Sequence, residues 1–266
     1  LTAAEAVLLM ARELAWFGTT ERAMARRLWA MMVETGCEEV LSVVVAAGEH
    51  SALARHVPCD RVINPGDALL VSICGRWSGY CSEVARVFAV AEPPDDFEAM
   101  YSVVLAAQDA ILDALRPGLT AAQAGRVARE VIEGSGYGNY AVPCPGRGIG
   151  LGHEEDPRFL PGEETVLAEG TTVCVEPAIY LPELFGARVA DVAVCAHVVY
   201  NVPDLAAFLT ELSGHARVRV VVELTERHPM TWLNPLWAHF HGIVRPDRPT
   251  AHDVIAVAEA LGHRVS

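Results

Sequence analysis

One imidazole, one guanidinium and two carboxylates give this chain its clearest capacity for chemistry. The glycine-rich stretch Gly146-Arg147-Gly148-Ile149-Gly150-Leu151-Gly152-His153-Glu154-Glu155-Asp156-Pro157 carries Arg147 and His153. Glu83 stands in Gly79-Tyr80-Cys81-Ser82-Glu83-Val84-Ala85-Arg86, and Glu176 in Val175-Glu176-Pro177-Ala178-Ile179-Tyr180. A histidine can take and return a proton near neutral pH, and carboxylates can hold a metal or an organic cation. Arginine is permanently charged and offers donors only. Arg147 therefore cannot ligate a metal, although it can grip a carboxylate with two parallel hydrogen bonds. Cys74 and Cys81 have no paired base in the sequence and read as core residues. His239-x-His241 with His228 lacks further ligand spacing and reads as an aromatic loop.

Composition narrows the classes further. The 266 residues are 52% apolar and 20% charged, as in a folded soluble protein. A net charge of −14 argues against nucleic acid or an anionic membrane as partner. No lysine occurs, so all 20 basic residues are arginines. That absence excludes Schiff-base, pyridoxal-phosphate and P-loop chemistry, each of which needs a lysine amine. The seven cysteines (Cys37, Cys59, Cys74, Cys81, Cys144, Cys174, Cys195) are scattered and odd in number, with no C-x-x-C pair. This usage predicts reduced thiols in a cytoplasmic protein rather than a disulfide framework. No apolar run reaches about 18 residues and no secretory signal is visible, so no membrane partner is expected. The chain opens at Leu1 rather than methionine, which leaves room for an upstream segment.

These groups need elements to hold them. Residues 3–34 have helical periodicity, interrupted at Gly18-Thr19-Thr20-Glu21, where a threonine cap can open a second helix. β-Branched runs predict strands at 40–47, 68–74 and 80–90, with Asn64-Pro65-Gly66-Asp67 as a turn. A long helix over 95–115 ends at Arg116-Pro117-Gly118, and Thr120-x-x-Gln123 predicts a capping box for a helix to about 133. Short strands and Gly/Pro turns alternate over 137–194. Helices combined with antiparallel strands predict an α+β domain over 1–192. Beyond it the balance changes: residues 196–266 carry seven of the ten histidines and a charge of about −1. Strands at 192–200 and 217–224 with helices at 204–215 and 250–261 predict a piece of a parallel α/β fold over 193–266.

Residues 3–192 resemble the creatinase/aminopeptidase family, whose fold is called pita-bread. The resemblance is carried by the segments quoted above, by Pro65-Gly66-Asp67, and by Gly186-Ala187-Arg188-Val189-Ala190-Asp191, in matching order and spacing. It implies a hydrolase. Peptidases of that family bind two divalent metals through two aspartates, a histidine and two glutamates. Those positions fall on Ser72, Glu83, Arg147, Glu176 and Ala190, of which only Glu83 and Glu176 can still ligate. The resemblance thus implies a degenerate metal site with no metal and no cofactor. Arg147 is expected to bridge Glu83 and Glu176, bidentate to at least one, because two close carboxylates in a cleft need a counter-charge. Arg147, Glu83 and Glu176 are the expected substrate-binding residues. His153 and His56 match two active-site histidines of the family and are the expected catalytic groups.

Residues 191–266 resemble the second half of small S-adenosylmethionine-dependent methyltransferases, through 191–202, 219–229 and Leu236-Trp237-Ala238-His239-Phe240-His241-Gly242. The glycine-rich cofactor turn of that fold is missing, so no cofactor binding is expected. The family also includes creatinase, which hydrolyses a carbon–nitrogen bond without metal. The expectation is therefore metal-independent C–N hydrolysis of a small-molecule or peptide-like substrate, with a homodimer possible. The alternatives are a non-catalytic pita-bread binding domain and a methyltransferase remnant that needs a partner chain.

Overall fold

In the computed structural model, residues 2–89, 91–168, 170–192, 195–196, 205–215, 222–223, 250–263 and 265 are described. The chain divides into two compact units, Leu1–Ala168 with Thr172–Ala193, and Glu169–Thr171 with Val194–Ser266.

The first unit opens with helices α1 (Thr2–Ala11) and α2 (Glu21–Glu34). They are separated because Thr20 leaves helical geometry at φ −97°, ψ 153° and its hydroxyl accepts from the Ala23 N–H at 3.2 Å. Ala4, Val7, Leu8 and Ala11 of α1, with Met24, Leu28 and Met32 of α2, face one core. That core lies on the sheet β1 (Glu39–Ala47), β2 (Ala68–Trp77), β3 (Tyr80–Ala89), which is antiparallel in the order β1-β2-β3. β2 is buried along most of its length, which explains its continuous apolar run in place of an alternating one.

Helix α3 (Phe97–Ala114) and helix α4 (Ala121–Gly134) follow. The predicted box at α4 forms: Thr120 Oγ1 accepts from the Gln123 N–H at 3.3 Å, and Gln123 Oε1 from the Thr120 N–H at 2.9 Å. Short strands then build a second antiparallel sheet, β4 (Gly146–Gly148), β5 (Glu155–Arg158), β6 (Val173–Val175) and β9 (Asp191–Val192), in the order β5-β4-β6-β9. β7 (Ala178–Leu181) and β8 (Phe185–Arg188) form a hairpin. An isolated bridge between Ala85 and Ala190 brings β3 against the chain just before β9. The Arg86 guanidinium fastens the same place, 2.7 Å from Asp191, whose other oxygen accepts from Gln108 of α3 at 3.0 Å.

In the second unit, β10 (Cys195–Ala196) pairs in parallel with β11 (Val222–Glu223). Helices α5 (Leu205–His215) and α6 (Ala251–Ala260) pack through Leu209 and Val254. Thr250 and Asp253 form a second capping box at α6. The Pro/Trp-rich loop, with His228, His239 and His241, lies outside the described residues. No described helix is long and apolar enough to cross a membrane.

Candidate active site

Register decides which side chains meet. In the β2–β3 ladder Cys74 is opposite Glu83 and Ser72 is opposite Ala85, so Ser72, Cys74 and Glu83 share one face of the sheet. In the second sheet Arg147 is opposite Cys174, which places Arg147, Cys174 and Glu176 on one face by the same alternation. These two faces meet. Arg147 Nη2 donates to Glu83 Oε2 at 2.6 Å, and Arg147 Nη1 donates to Glu176 Oε1. The guanidinium thus bridges both carboxylates as expected, but with one nitrogen on each rather than two on either. Forking onto Glu83 alone would leave Glu176 without this cation.

A second arginine completes the group. Arg188, at the end of β8, donates from Nη2 to Ser72 Oγ at 2.6 Å and to Glu83 Oε1 at 3.3 Å, while its Nη1 lies 3.5 Å from Glu176 Oε2. Ser72 in turn donates to Glu83 Oε1 at 3.2 Å. Two carboxylates and two guanidiniums form a buried set of zero net charge, the arrangement in which burial of ions is tolerable. Arg188 stands within the segment Gly186–Asp191 of the family resemblance, but its type alone assigns it no role there. Its place two residues before Ala190 is the signal the sequence offers. Ala190 itself is fully buried and supplies only a methyl, which packs with Cys81, Ala85, Ile149 and Cys174. Its carbonyl accepts from Ala85 N and Arg86 Nη1.

Burial alone would raise the Glu83 carboxyl, but hydrogen bonding by His153 and the charges of Arg188 and Arg147 hold it below the ordinary carboxylate range. Glu176 goes the other way: burial and the neighbouring Glu83 charge push it up against the pull of Arg147 and Arg188. Burial likewise pushes the Cys174 thiol well up, so it is a protonated packing group beside the acids.

His153 reaches this group. Its Nε2 is 3.1 Å from Glu83 Oε2 and 3.1 Å from Arg147 Nη2, with its side chain one-third exposed at 33%. The carboxylate wants a proton on that nitrogen, whereas the guanidinium, a donor only, wants a lone pair there. One atom cannot satisfy both at once, so only one of the two contacts is a hydrogen bond in a given tautomer. His56 is not brought to this group by any described hydrogen bond. Its Nε2 lies 2.7 Å from Glu21 Oε2, because Glu21 is a fully buried carboxylate that draws the donors around it. His50 and Cys59 contact the same carboxylate, and neither was singled out from the sequence.

Fold and site together define a pita-bread domain of the creatinase/aminopeptidase kind. The sequence pattern of metallopeptidase family M24 matches residues 2–197, and the chain belongs to that family. It is 35% identical over 175 residues to the Xaa-Pro dipeptidase of Pyrococcus furiosus, covering 65% of this chain and 50% of that protein. It is 37% identical over 178 residues to a probable dipeptidase PepE of Mycobacterium tuberculosis, covering 66% and 48%. Among solved structures, the prolidase from Pyrococcus furiosus superposes with a TM-score of 0.70 at 34% identity, over 72% of this chain and 57% of that one. The X-Pro aminopeptidase of Thermotoga maritima gives a TM-score of 0.69 at 32% identity, over 72% and 55%. The chain thus spans about half the length of the curated relatives it matches. The family match ends at residue 197, and none of these relatives points to a methyltransferase for the tail.

Proposed function

We propose that this protein is a hydrolase of the M24 type that cleaves a carbon–nitrogen bond of a small amino-acid-like substrate without a metal pair. The observation that carries the reading is the Arg147 guanidinium seated between Glu83 and Glu176 beside His153. A dinuclear centre does not fit these residues. Of the five family positions, Ser72 hydrogen-bonds Glu83, Ala190 has no side-chain donor atom, and Arg147 places a fixed cation against the two carboxylates that could still ligate.

Chemistry then rests on the organic groups. His153 takes a proton from water as its oxygen bonds to the substrate carbon, and returns that proton to the nitrogen as the C–N bond breaks. Its contacts with Glu83 and Arg147 hold the imidazole beside the groups that would bind substrate. Arg188 Nε is buried with no acceptor among the described residues, and an unmade bond of this kind costs about 1–3 kcal/mol. A substrate carboxylate or carbonyl oxygen would relieve it. This is the supporting reason for an amino-acid-like ligand.

A second reading, a non-catalytic binding domain, is favoured by the mutual neutralisation of Glu83, Glu176, Arg147 and Arg188, which leaves no net charge to recruit substrate. The methyltransferase-like reading of 193–266, with a partner chain supplying the missing half, rests on sequence resemblance alone. A cytoplasmic setting and a homodimer also stand on the sequence reasoning. The deciding experiment is turnover of Xaa-Pro dipeptides and small amidines with excess chelator present. Turnover that survives chelation and is lost in His153→Ala supports the hydrolase. Binding without turnover, indifferent to His153→Ala, selects the binding domain. Two tightly held metals at the Arg147 group, found by elemental analysis and lost in Glu83→Gln, would sink both readings of that group.

A further inference from the structure

Outside the Arg147 group, the chain assembles a second set of ligand-type side chains. Glu21 is the first residue of α2 and is fully buried, although no arginine pairs with it among the described residues. Around its two oxygens stand His50 Nδ1 at 3.0 Å, His56 Nε2 at 2.7 Å and Cys59 Sγ at 3.3 Å. His50 Nδ1 and Cys59 Sγ are themselves 3.9 Å apart. The four donor atoms all lie within 4.8 Å of one another. We propose that Glu21, His50, His56 and Cys59 form a binding site for one divalent transition-metal ion of the zinc class.

The donor set argues for that ion. Two imidazoles, a thiolate and a carboxylate make a borderline-soft, four-membered shell, which suits zinc or cobalt and disfavours magnesium or calcium. Tetrahedral bonds of about 2.0–2.3 Å place ligand atoms about 3.3–3.8 Å apart. The Cys59 separations already fall near that range, and the two histidine–Glu21 hydrogen bonds need to open by about half an ångström. Charge closes as well: the Cys59 S–H bond breaks, its proton leaves to solvent, a sulfur–metal bond forms, and thiolate plus carboxylate balance the dication.

Supporting contacts are in place. The Ala47 N–H donates to Glu21 Oε1 at 2.9 Å and the Cys59 N–H to Oε2 at 3.2 Å, which fixes the carboxylate as metal sites fix theirs. The side chain of His50 is 24% exposed, which gives an ion a way in. The ion would tie the start of α2 to the segment His50–Cys59. Ser51 of that segment accepts from Gly186 N at 2.9 Å, so the site sits beneath the hairpin that carries Arg188.

The test uses the full chain, stripped of metal and titrated with Co2+. One equivalent should bind with a sulfur-to-cobalt charge-transfer band in the near ultraviolet and the visible bands of a tetrahedral ion. Cys59→Ser should abolish the charge-transfer band, and His50→Ala should weaken binding at least tenfold. Cys174→Ser, beside the Arg147 group and outside this set of donors, should leave the band intact. In the unmodified protein, one equivalent of Zn2+ should slow alkylation of Cys59 at least tenfold, a reading that needs no variant to fold. A band that persists in Cys59→Ser, no cobalt bound, or no protection of Cys59 would each overturn the site. None of these readouts depends on turnover, so they stand or fall apart from the hydrolase proposal.

Discussion

At the scale of single residues, Arg147 is the substitution on which the character of the site turns. It sits beside two acids with only 6% of its surface exposed. Removing one partner of a buried ion set leaves an uncompensated charge, typically worth about 3–5 kcal/mol. Arg147→Ala should therefore lower unfolding stability by roughly that amount near neutral pH, as read by denaturant melts. The loss has a pH signature. Glu83 ionises below its ordinary 4.5 in the folded protein, so it contributes stability that is present above 4.5 and fades as pH falls through its lowered value. Arg147 is one source of that lowering, so the gap between Arg147→Ala and the unaltered chain should narrow on acidification below 4.5. A gap that stays constant with pH would mean that Arg147 acts by packing alone. The trio Arg147, Glu83 and Glu176 was legible in the sequence because each stands in a segment of fixed spacing. The Glu21 cluster was not. It joins a helix start to residues 29, 35 and 38 positions away, and only His50-x5-His56-x2-Cys59 could have hinted at it.

At the scale of elements, local chemistry was readable and pairing was not. The Thr120 and Thr20 caps and the β-branched runs announced α2, α4 and β1–β3 to within a few residues, since capping and alternation act over short spans. The strands β4 to β9 have two to four residues each, too short to show a period, and the order β5-β4-β6-β9 depends on contacts remote in sequence. Gly125 illustrates the difference. By propensity alone, Gly125→Ala in the interior of α4 should stabilise by about 0.5–1 kcal/mol. In the fold, a Cβ there would lie 2.4 Å from the backbone oxygen of Phe159, which follows β5 and is fully buried. Backbone cannot yield as a flexible side chain can, and overpacking of this kind costs about 1–3 kcal/mol. The expected outcome is a lower melting temperature for Gly125→Ala, and a rise would show that α4 can slide away from Phe159.

At the scale of the whole molecule, the first unit carries what a fold needs for itself. The α1–α2 core on β1–β3, the second sheet and the Arg147 group all fall within Leu1–Ala168 and Thr172–Ala193. Its last structural tie is β9, where Cys174 is opposite Val192 and Val175 opposite Asp191. Asp191 also receives Arg86 at 2.7 Å and Gln108 at 3.0 Å, so the sheet, β3 and α3 converge on one carboxylate. The change in histidine content and charge near residue 195 made this neighbourhood visible in the sequence, whereas the dependence on Asp191 was not, since it rests on side chains 83 and 105 positions apart. A chain ending after Ala193 should keep a cooperative melt and the near-ultraviolet signal of a packed core. A chain ending after Ala187 loses Arg188, Asp191 and the β9 strand together. It leaves Glu83 and Glu176 with one guanidinium between them and Arg86 without its carboxylate partner. That truncation should melt without a sharp transition, and if it melts as sharply as the longer chain, β9 and Arg188 are not needed to close the fold.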